Sequence, residues 1–483
     1  MMHKYCGMER VNRMTKIDMK EPKNNCREKC AEPLVSIVVP VLNGIKYISE
    51  TLDSLLGQTL SDIEILVVDA GSTDGTVELL EKYQEKDERL IVLQSDKKSM
   101  GCQYNIGIRN AVGKYIGFCE SDDYFDLSMI ERLYQILEED DELDYVKSTF
   151  DMFIDREERL FLKYNILGAE NRKLYGVKIE PSMCPFLVSI DVNMWNGLYR
   201  RDFIIKNGIS LNESAGAAFQ DTGFVLQSLI CAKKSLYIEG NSYMYRRDNM
   251  NSSVYDTKCL SFVINEFLYY RSVFKKDAVN SRLNAAIVSR FGYMFIGYYS
   301  KLPELEECTK NQIEYIHRFI EEYKRALDEL DYSLRLESSL FSLPIVDMMN
   351  DNFELFDAYQ KYTRHFNDIK NREWINKVKS FKRLVIFGAG DIGRYTLGSL
   401  VRNGCDNICA IADNDKEKWG KSMWGIDIID PSQIPTETGT GILLVDNRFY
   451  VEIKNQLLKM GIRDEDIVKT IPVTAHGAFE NVF

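Results

Sequence analysis

From Pro33 onward, apolar and polar positions follow two rhythms that take turns along the chain. VSIVVPVL is apolar at every position but Ser36 and reads as a buried strand, and Ile45, Ile48, Leu52, Leu55 and Leu56 then recur at helical spacing until Gly57 stops them. IEILVVDA predicts the second strand, TVELLEKYQEK a helix starting at Thr76, RLIVLQS the third strand, YNIGIRNAV a helix and KYIGFCESD the fourth strand. Residues 128–139 read as a helix and 143–153 as a further strand. Such alternation predicts an α/β fold, a mostly parallel sheet wrapped by helices.

The rhythm changes twice more. Between 155 and 255 short strands and loops mix with a helix after Asp221, and from 256 to 380 the pattern turns helical and aromatic, as in FVINEFLYYRSVF. KRLVIFGAG then opens a new α/β unit. The expected organisation is a flexible tail over 1–32, an α/β domain over 33–255, a helical region over 256–380 and a small α/β domain over 381–483. A chain of 483 residues accommodates two or three such cores.

With 45% hydrophobic and 28% charged residues, the composition is that of a soluble globular protein. A net charge of −12 argues against nucleic-acid partners, which draw on clustered Lys and Arg. An acidic protein that takes an anionic nucleotide needs a metal or local cations. Among eleven cysteines, Cys26 with Cys30 and Cys405 with Cys409 lack partner pairs at zinc-site spacing, so reduced thiols in a cytoplasm are expected. No apolar run approaches the roughly 20 residues of a membrane helix. The expected location is cytoplasmic, with the inner face of the membrane as the alternative.

Carboxylates stand where strands end, and in open α/β sheets ligands collect outside those ends. Asp69 closes IEILVVD, Glu120 and Asp122 close KYIGFCESDD, and Asp221 lies in AFQDTGF. On an extended segment, side chains two apart face the same way, so Glu120 and Asp122 can address one cation. All-oxygen ligation suits Mg²⁺ or Mn²⁺. Taken alone, Asp69 and Asp74 also fit turn chemistry, and Asp221 a helix cap.

VSIVVPVLNG, VVDAGSTDGT, NIGIRNAVGKYIGFCESDD, WNGLYRRDFI, FQDTGF and YMYRRDNMNSS follow one another in an order that resembles a family-2 glycosyltransferase of the bacterial GT-A, nucleotide-diphospho-sugar type. The resemblance covers Pro33 to about Val254. It implies that Pro40 and Asn43 line a nucleotide pocket and that Asp69 binds the nucleobase, with a UDP-sugar favoured. Asp122 and Glu120 would hold Mn²⁺ or Mg²⁺ and the diphosphate, with Asp123 capping the next turn. Asp221 would be the base of an inverting transfer. Trp195 and Asn196 would lie near sugar and acceptor, and Arg246 and Arg247 on a loop over the diphosphate. The implied partners are a nucleotide-sugar donor and a glycan or lipid-linked acceptor in surface polysaccharide biosynthesis, with peripheral membrane or assembly-protein contact. Ala70, Leu42, Glu120 and Gln220 depart from the family pattern.

Gly388, Gly390 and Gly393 in VIFGAGDIG follow a strand and precede a helix, and Asp413 ends the next strand, CAIADND. That is the fingerprint of a nucleotide phosphate at a helix N-terminus with an acid for the ribose. GIDIIDPSQIP resembles small Rossmann-like domains beside bacterial sugar-transfer enzymes. The unit is short for an independent redox site, so a nucleotide or sugar-nucleotide bound without chemistry is expected, or an interaction domain with a vestigial fingerprint. For the whole chain, the alternatives are a sugar-modifying or redox enzyme acting through this unit and a non-catalytic scaffold.

Overall fold

The computed structural model describes residues 33–155, 159–164, 166–168, 171–249, 259–274, 279–300, 302, 308–331, 333–334, 344–402, 404–423, 425–445 and 449–470. The tail over 1–32, with Cys26 and Cys30, and the end of YMYRRDNMNSS lie outside these residues. The chain forms two compact units: Met1–Phe153, Lys163–Gly292 and Thr309–Leu343 in one, Ile154–Leu162, Tyr293–Cys308 and Pro344–Phe483 in the other. The helical stretch expected over 256–380 is therefore shared between them. Aromatic packing divides it: Phe267 meets Phe319 at 4.9 Å in the first unit, whereas Tyr299 meets Phe356 at 4.9 Å in the second.

The first unit carries strands β1 (Val35–Val41), β2 (Ile63–Asp69), β3 (Leu90–Gln94), β4 (Tyr115–Phe118), β5 (Tyr124–Phe125), β6 (Tyr145–Ile154), the end of β7 (Leu160–Tyr164), β8 (Lys178–Ile179), β9 (Gly197–Arg200) and β10 (Ser235–Arg246), Ile154 and Leu160–Leu162 being assigned to the other unit. Its helices are α1 (Ile48–Leu56), α2 (Thr76–Gln84), α3 (Met100–Asn110), α4 (Met129–Glu139), α5 (Leu187–Ile190), α6 (Arg201–Asn207), α7 (Gln220–Cys231), α8 (Cys259–Val273), α9 (Ser281–Tyr299), whose last turns belong to the other unit, and α10 (Lys310–Asp328). The sheet runs β3-β2-β1-β4-β9-β6-β10-β5, with β7 and β8 off this path.

The strands β3, β2, β1 and β4 are parallel, and their order reverses direction between β1 and β4. That reversal splays the loops after β1 and β4 apart and opens a crevice at the carboxyl ends. β9 inserts antiparallel between β4 and β6. The continuous apolar runs of β1 and β2 are buried at every position, as a doubly covered parallel strand requires. Gln103 of α3 donates to the carbonyls of Val41 (2.8 Å) and Val68 (2.7 Å), tying the ends of β1 and β2 together at the crevice.

In the second unit, β11 (Arg383–Phe387), β12 (Ile408–Ala412), β13 (Ser422–Met423), β14 (Ile426–Ile429), β15 (Thr440–Leu444) and β16 (Ile467–Lys469) run in the order β13-β14-β12-β11-β15-β16. All pairs are parallel except β13 with β14. Leu384 and Ile386 face one core with Leu397 and Leu400, while Val385 and Phe387 face another with Leu457, the period of two expected of a strand. Among the described residues no helix is long and apolar enough to cross a membrane. Cys405 and Cys409 are both free thiols.

Candidate active site

Among the described residues, the loop after β4 gathers three carboxylates close enough to share a metal ion. Carboxylate oxygens of Glu120, Asp122 and Asp123 lie within 4.8 Å of one another. Glu120 and Asp122 are half-buried, whereas Asp123 is sealed at 1% exposure. Asp123 is not the turn cap its position suggested: it accepts from the Tyr243 hydroxyl (2.6 Å) and the Arg246 amide (2.7 Å), both on β10. The same Tyr243 oxygen accepts from the Glu120 amide at 3.1 Å. Pairing between β10 and β5 thus fixes the acidic loop from below. Glu120 and Asp122 are left as the pair able to face a cation, and their oxygens suit Mg²⁺ or Mn²⁺.

Electrostatics point the same way. Burial first, then the charges of Asp122 and Asp221, pushes Glu120 up to about 8, and Arg247 counters this. Asp122 is also raised by burial, although Asn249 donates to its Oδ2 at 2.7 Å. Carboxylates crowded this way repel one another, and a divalent cation between them would relieve the repulsion.

Asp221 occupies the first turn of α7. Phe219, just before it, adopts φ 65°, a strained left-handed conformation for a bulky residue, and the chain enters α7 there without a side-chain cap. Asp221 is half-buried and accepts from the Thr222 amide at 2.8 Å. Burial raises its carboxyl to about 6 against the opposing effects of that amide and of Arg290 and Lys147. The two cations are themselves held in place. Lys147 pairs with Asp191, both within the core, and Asp191 accepts from the Tyr237 hydroxyl at 2.6 Å. Arg290 donates to the Val188 carbonyl.

Other expected site residues take different places. Asp69 is fully buried, and its carboxylate accepts from the amides of Gly71 (2.9 Å) and Ser72 (3.2 Å), which builds the turn after β2. Pro40 lies inside β1 beside Val68. Asn43, at φ 56°, accepts from the Thr73 amide at 2.8 Å and donates its own amide to Ser72 Oγ at 2.7 Å, so the β1 and β2 turns are laced together at the crevice mouth. Asp74 accepts from the Ile45 amide at 3.1 Å and serves the same lacing.

Trp195 is a core residue, 2% exposed and stacked on Tyr243 at 4.0 Å, so it offers no open face to a sugar. Asn196 is fully buried and donates to the Ser148 carbonyl. Arg246 is 4% exposed, paired with Glu50 at 2.6 Å, placed over the rings of Tyr47 and Phe153, and donates to the Asp122 carbonyl at 2.9 Å. It braces the acidic loop instead of reaching over a diphosphate. Arg247 donates to the Tyr245 hydroxyl at 3.2 Å and acts electrostatically on Glu120.

Tyr243, Asn249, Lys147 and Arg290 escaped the sequence reading. The signals in the sequence are the charged Lys147 within YVKSTF and the place of Tyr243 and Asn249 in YMYRRDNMNSS; the partners of all four are set by tertiary folding.

In the second unit, Gly388 has φ 121°, and a Cβ on Gly393 would stand 1.8 Å from the Gly388 oxygen, so the glycine loop and the following helix pack without room for a side chain. Asp413 accepts from the amides of Ala389 (2.6 Å) and Asp415 (2.8 Å) and from Lys418 at 3.1 Å. Its carboxylate closes the loop instead of standing open to a ribose.

Sequence comparison carries the same division. Residues 36–204 match the model of glycosyl transferase family 2, and residues 380–468 match that of C2185-like, N-terminal. The chain is 34% identical over 225 residues to the uncharacterized glycosyltransferase EpsJ of Bacillus subtilis, covering 46% of this chain and 62% of that protein. It is 30% identical over 226 residues to the glycosyltransferase GlyG of Streptococcus pneumoniae, covering 44% and 71%. Thus the chain spans under two thirds of the first relative and somewhat more of the second. Among solved structures, S. aureus TarS 1-349 in complex with UDP-GlcNAc is similar at 18% identity and a TM-score of 0.47, over 68% of this chain and 91% of that one. The identity shared with GlyG across 71% of its length, together with the match over residues 36–204, establishes that the chain belongs to glycosyl transferase family 2.

Proposed function

We propose that the first unit transfers a glycosyl group from a nucleotide-diphosphate sugar, a UDP-sugar being favoured, to a hydroxyl of a glycan or lipid-linked glycan, with inversion and with Mn²⁺ or Mg²⁺ bound. The observation that carries this reading is the cluster of Glu120 and Asp122 carboxylates in the loop after β4, with the Asp221 carboxylate of α7 close enough to act on Glu120. Glu120 and Asp122 would hold the cation. When bound, it neutralises charge developing on the departing nucleotide diphosphate. Asp221 takes the proton of the acceptor hydroxyl as that oxygen bonds to the anomeric carbon and the bond to the diphosphate breaks, its electron pair leaving with the phosphate. A carboxyl near 6 is largely ionised at neutral pH yet still basic enough for that task. The neighbouring Asp191 is held by Lys147 and is not available as a second nucleophile, which favours direct displacement. Asp69 and Asn43 shape the nucleobase end through the laced turns.

UDP-, GDP- and CDP-sugars offered with Mn²⁺ or Mg²⁺, followed by nucleotide release and product mass, test the reading. Transfer should appear with one donor class and vanish in Asp221→Asn; no consumption of any donor sinks it.

The open glycine loop supports a second role. We infer that the C-terminal unit is Rossmann-like and binds a nucleotide or sugar-nucleotide at Gly388, Gly390 and Gly393, with Asp413 bracing the loop, because Gly390 is exposed with nothing within 4 Å of where its Cβ would stand. Ligand-induced thermal stabilisation of the full chain should disappear in Gly390→Val.

A further inference from the structure

Helix α8 lies beyond the residues matched by the family, yet it packs on α7, which carries Asp221. Its Glu266 is 1% exposed. Oε1 accepts from Asn212 Nδ2 at 2.9 Å, and the buried Oε2 makes no hydrogen bond of ordinary geometry, lying against the Gly223 backbone. That oxygen rests against α7: a Cβ on Gly223 would come within 2.6 Å of it. Gly223 is two residues past Asp221, so a side chain at this point would have to push the carboxyl out of its present place.

A buried carboxyl with an unmatched oxygen is costly and calls for an explanation. The local architecture offers one. The first turn of α7 has no side-chain cap and follows the strained Phe219, so it is held from outside. Gln220 Nε2 donates to the Ser214 carbonyl at 2.7 Å, and Gln227 Nε2 to the carbonyls of Ser210 (2.6 Å) and Gly223 (2.8 Å). Tyr269 of α8 donates to the Ser210 carbonyl at 3.0 Å. Residues 210–214 therefore form a strap between α7 and α8, and Glu266 with Asn212 joins the strap to the turn bearing Asp221. Burial pushes the Glu266 carboxyl well above the usual carboxylate range; the charge of Asp221 adds to this, and the Asn212 side chain and the Gly223 backbone amide oppose it.

We propose that Glu266 is a positioning residue for Asp221, fixing the first turn of α7 through its contact with Gly223 and its hydrogen bond to Asn212. The assignment rests on the reading of Asp221 as the base.

Transfer kinetics of the full chain, with a donor the wild type consumes, test it in Glu266→Gln, Glu266→Ala, Gly223→Ala and the double variant Gly223→Ala/Glu266→Ala. Glu266→Ala and Gly223→Ala should each lower kcat about tenfold to a hundredfold, as a displaced reacting group does. Donor KM should stay within about twofold. Glu266→Gln, of the same shape and still able to accept from Asn212, should keep kcat within about threefold. Both alanine changes act on one contact, so the double variant should be no slower than the slower single. Wild-type kcat in both alanine variants, losses that multiply in the double variant, or a glutamine variant as slow as the alanine one would overturn the proposal. Asp221→Asn in the same assay separates the two ideas: full transfer there removes the base assignment itself, whereas loss there with normal Glu266 variants removes only this inference.

Discussion

Each unit ends strands in carboxylates, and the two sets behave in opposite ways. In the second unit burial pushes Asp413 up, but the amides of Asp415 and Ala389 and the Lys418 ammonium outweigh it and hold the carboxyl below its ordinary range. In the first unit Glu120, Asp122 and Asp221 are all raised, because burial outweighs the donors around them, with the charges of Asp122 and Asp221 adding to it at Glu120. Asp69 resembles Asp413 in its bonding, since both close a loop through backbone amides. A strand-end carboxylate satisfied by its own chain is architecture, whereas one left short of partners awaits a cation or a proton.

The sharpest way to break this contrast is Asp221→Asn, which keeps the shape and removes the base. We expect transfer to fall by about a thousandfold, with donor affinity retained. Asp122→Ala should cost about a hundredfold and raise the metal concentration needed for half-maximal rate, measured by Mn²⁺ titration. In the second unit, Asp413→Asn should read out in melting instead of transfer, with about 2 kcal/mol lost near neutral pH. Its folded carboxyl lies below the unfolded value, so the contribution is present above the unfolded pKa and fades as pH falls below about 4. The pH dependence of kcat/KM should show an acid limb near 6, dropping tenfold per unit below it, because Asp221 must be deprotonated to accept a proton. A rate flat from pH 7 to 5 would falsify that assignment. Smallest of all, Asp69→Asn should raise donor KM by about fivefold, roughly 1 kcal/mol, as the turn over the nucleobase end loosens.

Much of the architecture was legible in hydrophobic rhythm. The apolar runs that predict β1 to β4 coincide with strands, and residues 128–139 with α4 at Met129–Glu139, since period and burial are local properties of the sequence. The helical region was read with less success. FVINEFLYYRSVF is a helix, but nothing in its period says that α8 packs on α7 or that Glu266 meets Gly223. Trp195 and Arg246 show the same limit. An aromatic residue or a guanidinium in a family motif reads as a ligand contact, yet β10 covers Trp195 with Tyr243, and Glu50 engages Arg246.

The sequence by itself determined the order of strands and helices, the acids at the strand ends and the glycine loop of the second unit, because each is written in residues close together along the chain. Tertiary structure alone decided which acids are open to chemistry. The reversal of strand order between β1 and β4, the insertion of β9 and the return of β10 under the acidic loop bring Tyr243, Asn249, Lys147 and Arg290 to their places from far along the chain. Whether a carboxylate is satisfied or left short depends on those distant donors, and no local pattern encodes them.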